Sequence, residues 1–191
     1  MFFTVLGLLG GLLIIVADIP YAINGYRRKT RPHRITWFTI FIFNAINLAN
    51  QGASGAKNSL LFFIGATFIT FIVFLVSVFN GVGGYSKRDL AVLAGIGAGL
   101  VLWWVLDTPV ASIITNILVL SIAFIPTFVK AYHDPKSETK ITWFIGAISS
   151  TLTAISVGKL DYILLALPLY ATIQQASLFI LLEIREKRLG L

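Results

Sequence analysis

Apolar residues in this chain come in long runs, and polar residues come in short interruptions between them. The runs cover roughly Phe2–Gly25, Ile35–Ala53, Ser59–Asn80, Leu90–Leu106, Thr108–Tyr132, Ile141–Val157 and Tyr162–Glu183. Each approaches the ~20 residues that a helix needs to cross a bilayer core. The interruptions are NGYRRKTRPHR, SGAKN, GVGGYSKRD, DTP, HDPKSETK and GKLD, all built from residues that end helices or turn the chain. Asp107-Thr108-Pro109 places an acid, a cap and a proline where one helix must stop and the next begin. The pattern predicts an all-α integral membrane protein with seven transmembrane helices. The first run lacks a positive leading region and a small-x-small cleavage site, so it reads as the first membrane helix, not a signal peptide.

Composition agrees with that expectation. The chain has 191 residues, 57% hydrophobic and 12% charged, and a mean hydropathy of +0.88. A soluble domain of this size needs more polar surface. Cysteine is absent, which excludes disulfides, thiol catalysis and iron–sulfur clusters. The two histidines, His33 and His133, both fall in loops, so no metal site is expected and no cofactor is implied.

The net charge of +7 is informative through its distribution. Arg27, Arg28, Lys29, Arg31, Arg34, Lys87, Arg88, Lys130, Lys136, Lys140, Arg185, Lys187 and Arg188 all fall on one side of the predicted bundle. Only Lys57 and Lys159 fall on the other. The positive-inside rule then puts the N-terminus outside and the C-terminus in the cytoplasm, in a cell (inner) membrane. Lipid headgroups are the expected partners of these charges, and no nucleic acid is expected.

One segment occurs twice. IPYAINGYRRKTRPHRITWF (Ile19 to Phe38) and IPTFVKAYHDPKSETKITWF (Ile125 to Phe144) share Ile-Pro, a Tyr six residues after the Pro, and Ile-Thr-Trp-Phe, at a constant offset of 106 positions. That offset maps the first helix on the fifth, the second on the sixth and approximately the third on the seventh. The expected organisation is two parallel three-helix repeats, 1–80 and 108–183. Loop and linker helix 81–107 join them, and 184–191 is a cytoplasmic tail. Such repeats enclose a site near the midplane, on an axis normal to the bilayer.

The stretch P-x-x-x-N-x-Y-R-R-K-T, Pro20 to Thr30, resembles the PQ-loop repeat. The second copy keeps Pro126 and Tyr132, and has Lys130 for the Asn. Tyr21 and Thr127 stand where that repeat has Gln. With its three-plus-one-plus-three layout the chain resembles SWEET and PQ-loop membrane proteins. The resemblance implies a facilitator or transporter of a sugar or amino acid, or, on the same fold, a receptor or scaffold that binds a peptide or partner without transport.

Candidate residues follow from depth. Pro20 and Pro126 lie within their helices at matched positions, as hinges or static kinks. Asp18 lies about 12 Å from the cytoplasmic end of its helix at 1.5 Å per residue. There a carboxyl costs on the order of 3 kcal/mol. It is a candidate proton carrier, or else the closing member of a structural network with Asn44 or Tyr26. Asn44, Asn47, Thr70, Asn116, Ser150, Gln174 and Gln175 share its depth, with Gln51, Thr67, Ser149 and Thr153 nearby. They are candidates for binding a polar solute, or for holding helices together. Trp37 and Trp143 occupy equivalent positions, as interfacial anchors by default or as a gate. Gly95-Ile-Gly-Ala-Gly99 in the fourth helix would pack against the bundle or a second copy of the chain, giving a homo-oligomer. Intramembrane catalysis needs paired acids, a Ser–His couple or a metal cluster at depth, and Asp18 stands alone there, so no enzyme is expected. A retinal protein would need a lysine within the seventh helix, and none lies there.

Overall fold

In the computed structural model, which describes residues 1–53, 60–84, 86–106 and 108–190, the chain is all-α. The described residues form α1 (Phe2–Tyr26), α2 (Arg34–Ala53), α3 (Leu60–Asn80), α4 (Lys87–Leu106), α5 (Pro109–His133), α6 (Lys140–Ser156) and α7 (Tyr162–Leu189), with a 3₁₀ turn at Pro135–Ser137. The expected loop around Lys57, a start at Ser59 and the turn residue Asp107 lie outside the described residues.

Five helices (α1, α3, α4, α5 and α7) are long and apolar enough to cross a membrane. The other two, α2 and α6, carry much of the polar interior. Asn47 and Gln51 are buried on α2; Thr142, Ser149, Ser150, Thr153 and Ser156 are buried on α6. Outward faces are apolar instead: Leu12, Val16, Ile19 and Ile23 on α1, Phe68, Phe71, Leu75 and Phe79 on α3, and Ile114, Leu118, Ile125 and Val129 on α5 are all exposed. Polar groups inside and hydrocarbon outside is the arrangement that a lipid solvent selects.

Helix ends follow local chemistry. Thr108 caps α5 by accepting from the Ala111 amide at 3.2 Å, and Pro109 sits at the first position, where its missing N–H costs nothing. Asp161 caps α7 by accepting from the Ile163 and Leu164 amides. α4 begins at Lys87, earlier than the apolar run, since Ser86 accepts from the Asp89 amide while Asp89 accepts from the Gly84 and Ser86 amides. Past Glu183, α7 continues to Leu189, its charges paired with Lys140, whose Nζ lies 2.8 Å from Glu183 and 2.5 Å from Glu186. Gly190, with φ of 66°, closes it in the left-handed conformation.

α3 lies between α1 and α2, and α7 lies between α5 and α6. The two groups meet where α1 packs on α6 and α2 packs on α5; α4 lies on α5 and touches α2. Glycines set the closest approaches. A Cβ on Gly11 would sit 2.8 Å from the Leu61 carbonyl oxygen, and one on Gly65 would sit 2.7 Å from that of Gly11, so α1 and α3 touch backbone to backbone. Gly95 and Gly99 face Ile122 and Val119 of α5, whereas Gly97 faces open space. Gly95 and Gly99 therefore serve packing within the chain.

Candidate solute cavity

A cavity opens where the two groups of helices face each other. It holds about 90 Å³ that the centre of a water molecule can occupy, against the ~10–15 Å³ that one water needs. Asp18 and Ile14 come from α1, Trp37, Ile40, Asn44 and Asn47 from α2, and Phe62, Phe63, Ala66 and Thr70 from α3. The other group contributes Leu120 and Phe124 (α5), Trp143 (α6), and Leu167, Tyr170, Ala171, Gln174 and Gln175 (α7).

Of the residues singled out in the sequence, Asp18, Asn44, Asn47, Thr70, Gln174, Gln175, Trp37 and Trp143 line this cavity together. Two others stand behind the lining and orient it. Asn116 Nδ2 donates to Asn47 Oδ1 at 2.5 Å, and Ser150 Oγ accepts from Gln175 Nε2 at 2.9 Å. Asn44 Nδ2 donates to Thr70 Oγ1 at 3.4 Å, and Gln174 Nε2 donates to the Tyr170 hydroxyl at 2.8 Å. Tyr170 was not among the sequence candidates, although it stands four residues before Gln174, on the same helix face.

Asp18 is 5% exposed. Neither partner expected for it is engaged: Asn44 bonds Thr70, and Tyr26 is exposed on the surface. Among the described residues its carboxyl has no hydrogen-bond partner and no cation beside it in the lining.

An aromatic layer closes the cavity at the end carrying the basic loops. Trp37 and Trp143 are buried, with ring centroids 6.3 Å apart, so neither is an anchor at a lipid interface. The Tyr21 ring meets both, at 4.8 Å and 5.8 Å, and its hydroxyl accepts from Trp37 Nε1 at 3.3 Å. Trp143 Nε1 donates to Glu138 Oε2 at 3.2 Å; Glu138, itself buried, pairs with Lys130 Nζ at 2.5 Å, and that ammonium also donates to the Arg31 carbonyl. Thr30 and Thr139 hydroxyls meet at 2.5 Å in the same layer. The stretch between α1 and α2 and the stretch between α5 and α6 are thus tied to each other and to the tryptophans.

Pro20 and Pro126 lie inside α1 and α5 and outside the cavity lining. Three residues before each is a carbonyl taken by a threonine of the other group. Thr142 Oγ1 donates to the Ala17 carbonyl at 2.6 Å, and Thr36 Oγ1 donates to the Ala123 carbonyl at 2.7 Å. Both threonines belong to the repeated Ile-Thr-Trp-Phe, and donors and acceptors alike are related by the same offset of 106.

No metal-ligating cluster of three His, Cys, Asp or Glu side chains occurs among the described residues. The cavity can hold a small solute by hydrogen bonds and one carboxyl. Compared with known proteins, the chain matches no protein-family model, no curated protein and no solved structure.

Proposed function

We propose that this chain is a membrane transporter or facilitator of a small polar solute, of the SWEET and PQ-loop type, working by alternating access between two parallel three-helix units. In this reading all seven helices cross a cell membrane, N-terminus outside and C-terminus in the cytoplasm, with α4 as the linker. The outward face of α4 around Gly97 is where a second copy would lie. Asp18 is the group through which transport would be linked to protons.

The observation that carries the reading is the cavity itself, which draws its lining from both groups of helices and puts a carboxyl and four amides inside an apolar shell. Equivalent neighbours support the repeat: α3 between α1 and α2, and α7 between α5 and α6. So do the reciprocal threonine bonds to the carbonyls beside Pro20 and Pro126. Rocking one unit against the other would part the aromatic layer, the Lys130 contact with the Arg31 carbonyl and the Thr30–Thr139 bond, while the prolines absorb the bend.

Uptake into proteoliposomes tests this, with a solute panel, with and without an inward proton gradient, for wild type and Asp18→Asn. Gradient-stimulated uptake that Asp18→Asn uncouples is the expected result. Uptake indifferent to both would leave a facilitator with a structural Asp18. Absence of flux from folded protein would favour the second reading, a receptor or scaffold, for which the closed aromatic floor is the specific observation.

A further inference from the structure

Among the described residues the cavity lining holds one carboxyl and no cation. Asp18 is buried, faces the cavity and lacks a hydrogen-bond partner among the described residues. Among the described residues no Lys, Arg or His lines the space. A carboxylate removed from water needs a neutralising partner, either a proton or a cation. A solute carrying its own carboxylate or phosphate would bring a second negative charge to a site with nothing to receive it. A neutral polyol would leave Asp18 as it is. A positively charged solute supplies what the cavity lacks, and the aromatic floor at Trp37 and Trp143 favours it again, since indole faces attract ammonium groups. Tyr170 and the amides of Asn44 and Gln174 offer neutral hydrogen bonds elsewhere in the lining.

We propose that the solute is a small organic cation, an amine bearing a hydroxyl or similar group and no carboxylate, bound with its ammonium against Asp18 and over the tryptophan floor. This rests on the reading of the cavity as a solute site and narrows its substrate class. The proton and the amine then compete for one carboxyl, which gives exchange of one for the other across the membrane.

The test is binding to the purified full chain, by calorimetry or by the fluorescence of the floor tryptophans. The probes are ethanolamine and choline as amines, ethylene glycol as the neutral counterpart and serine as the zwitterion. The amines should bind at least about tenfold more tightly than glycol or serine, and Asp18→Asn should lower amine affinity about tenfold or more while leaving any glycol binding unchanged. Glycol or serine binding as tightly as the amines overturns the inference; this ranking needs only wild type, so it decides even where Asp18→Asn fails to fold. Amine affinity unaffected in a folded Asp18→Asn variant also overturns it. Uptake of the same probes separates the two claims. Flux of glycol or serine without amine binding sinks the substrate class and leaves the transporter. Amine binding without flux leaves the class and sinks the transporter. No binding of any probe overturns the substrate class and leaves the transporter to the flux of the wider solute panel.

Discussion

Gly146 matters for the side chain it leaves room for. A Cβ there would occupy the position of Gln175 Oε1, the amide that Ser150 holds against the cavity. The clash falls on the end of a flexible side chain, so Gly146→Ala should leave stability nearly unchanged and push the Gln175 amide out of place. One lost neutral hydrogen bond is worth about 0.5–1.5 kcal/mol, so solute affinity should fall by roughly three- to tenfold with an unaltered melting temperature, read by binding and thermal unfolding of the same sample. A loss of stability instead would mean that α6 and α7 cannot adjust. Sequence made Gln175 a candidate through its type and depth, and Asp18 by the cost of a carboxyl there. It did not reveal that Tyr170 joins them, because a tyrosine in an apolar helix reads as core or belt. Nor did it reveal Glu138, which lies in a polar interruption and is buried against Trp143.

Helices with an internal proline must find partners for the carbonyls that the kink exposes. The carbonyl left without its amide is that of Val16 in α1 and of Ile122 in α5, four residues before each proline; on the next residue the Ala17 and Ala123 carbonyls accept from Thr142 and Thr36, each reaching across from the other group. Replacing Thr142 by Val keeps shape and removes the donor, leaving the Ala17 carbonyl buried without it. The expected cost is about 0.6–2 kcal/mol, the range for hydrogen bonds between membrane helices. Thr142→Ser should recover most of it, and unfolding in mixed micelles measures both. No destabilisation by Thr142→Val would show that the carbonyl is satisfied otherwise. The repeated Ile-Thr-Trp-Phe drew attention through its tryptophans; its threonine was equally readable from the constant offset. The run lengths gave six of the helices to within a few residues, whereas α7 continues beyond the apolar run because Lys140, on a distant part of the chain, pairs with Glu183 and Glu186. Such long-range pairing has no local signal. A second joint lies where the chain enters α2. His33 is buried with Nε2 3.2 Å from Asp89 Oδ1, Nδ1 has no partner among the described residues, and its ring lies against Gly83, whose φ is 77°. Burial pushes the imidazole below its ordinary value of 6.5; Asp89 opposes this, and Lys130 and Arg34 add to it. The neutral form therefore belongs to the fold. Its stabilisation is complete above pH 6.5 and is lost as pH falls through the lower folded value. The melting temperature should drop over that acidic window, and His33→Gln should flatten the drop; an unchanged profile would remove His33 as its cause.

At the scale of the whole molecule the cavity is closed at the basic end by stacked contributions from both groups: Tyr21 and Trp37 from one, Trp143, Glu138 and Lys130 from the other. Any passage of solute at that end must part the Lys130 ammonium, in the last turn of α5, from the Arg31 carbonyl between α1 and α2, and Glu138, which also accepts from Trp143, holds that ammonium in place. Neutralising one partner of a buried pair leaves the other uncompensated, so Glu138→Gln should shift the population toward a state open at the basic end. The absence of native cysteine makes this measurable without a background. Asn44→Cys places a single thiol in the lining, and a membrane-impermeant maleimide reports access from either side. In the otherwise unaltered chain, labelling from the basic side should be slow. With Glu138→Gln it should rise about tenfold, the effect of roughly 1.4 kcal/mol on a two-state equilibrium. A transporter should show labelling from both sides, each reduced by bound solute. A receptor cup would be labelled from one side only, whatever stands at position 138. The same thiol therefore tests the closure and separates the two functions that an aromatic floor alone leaves equal.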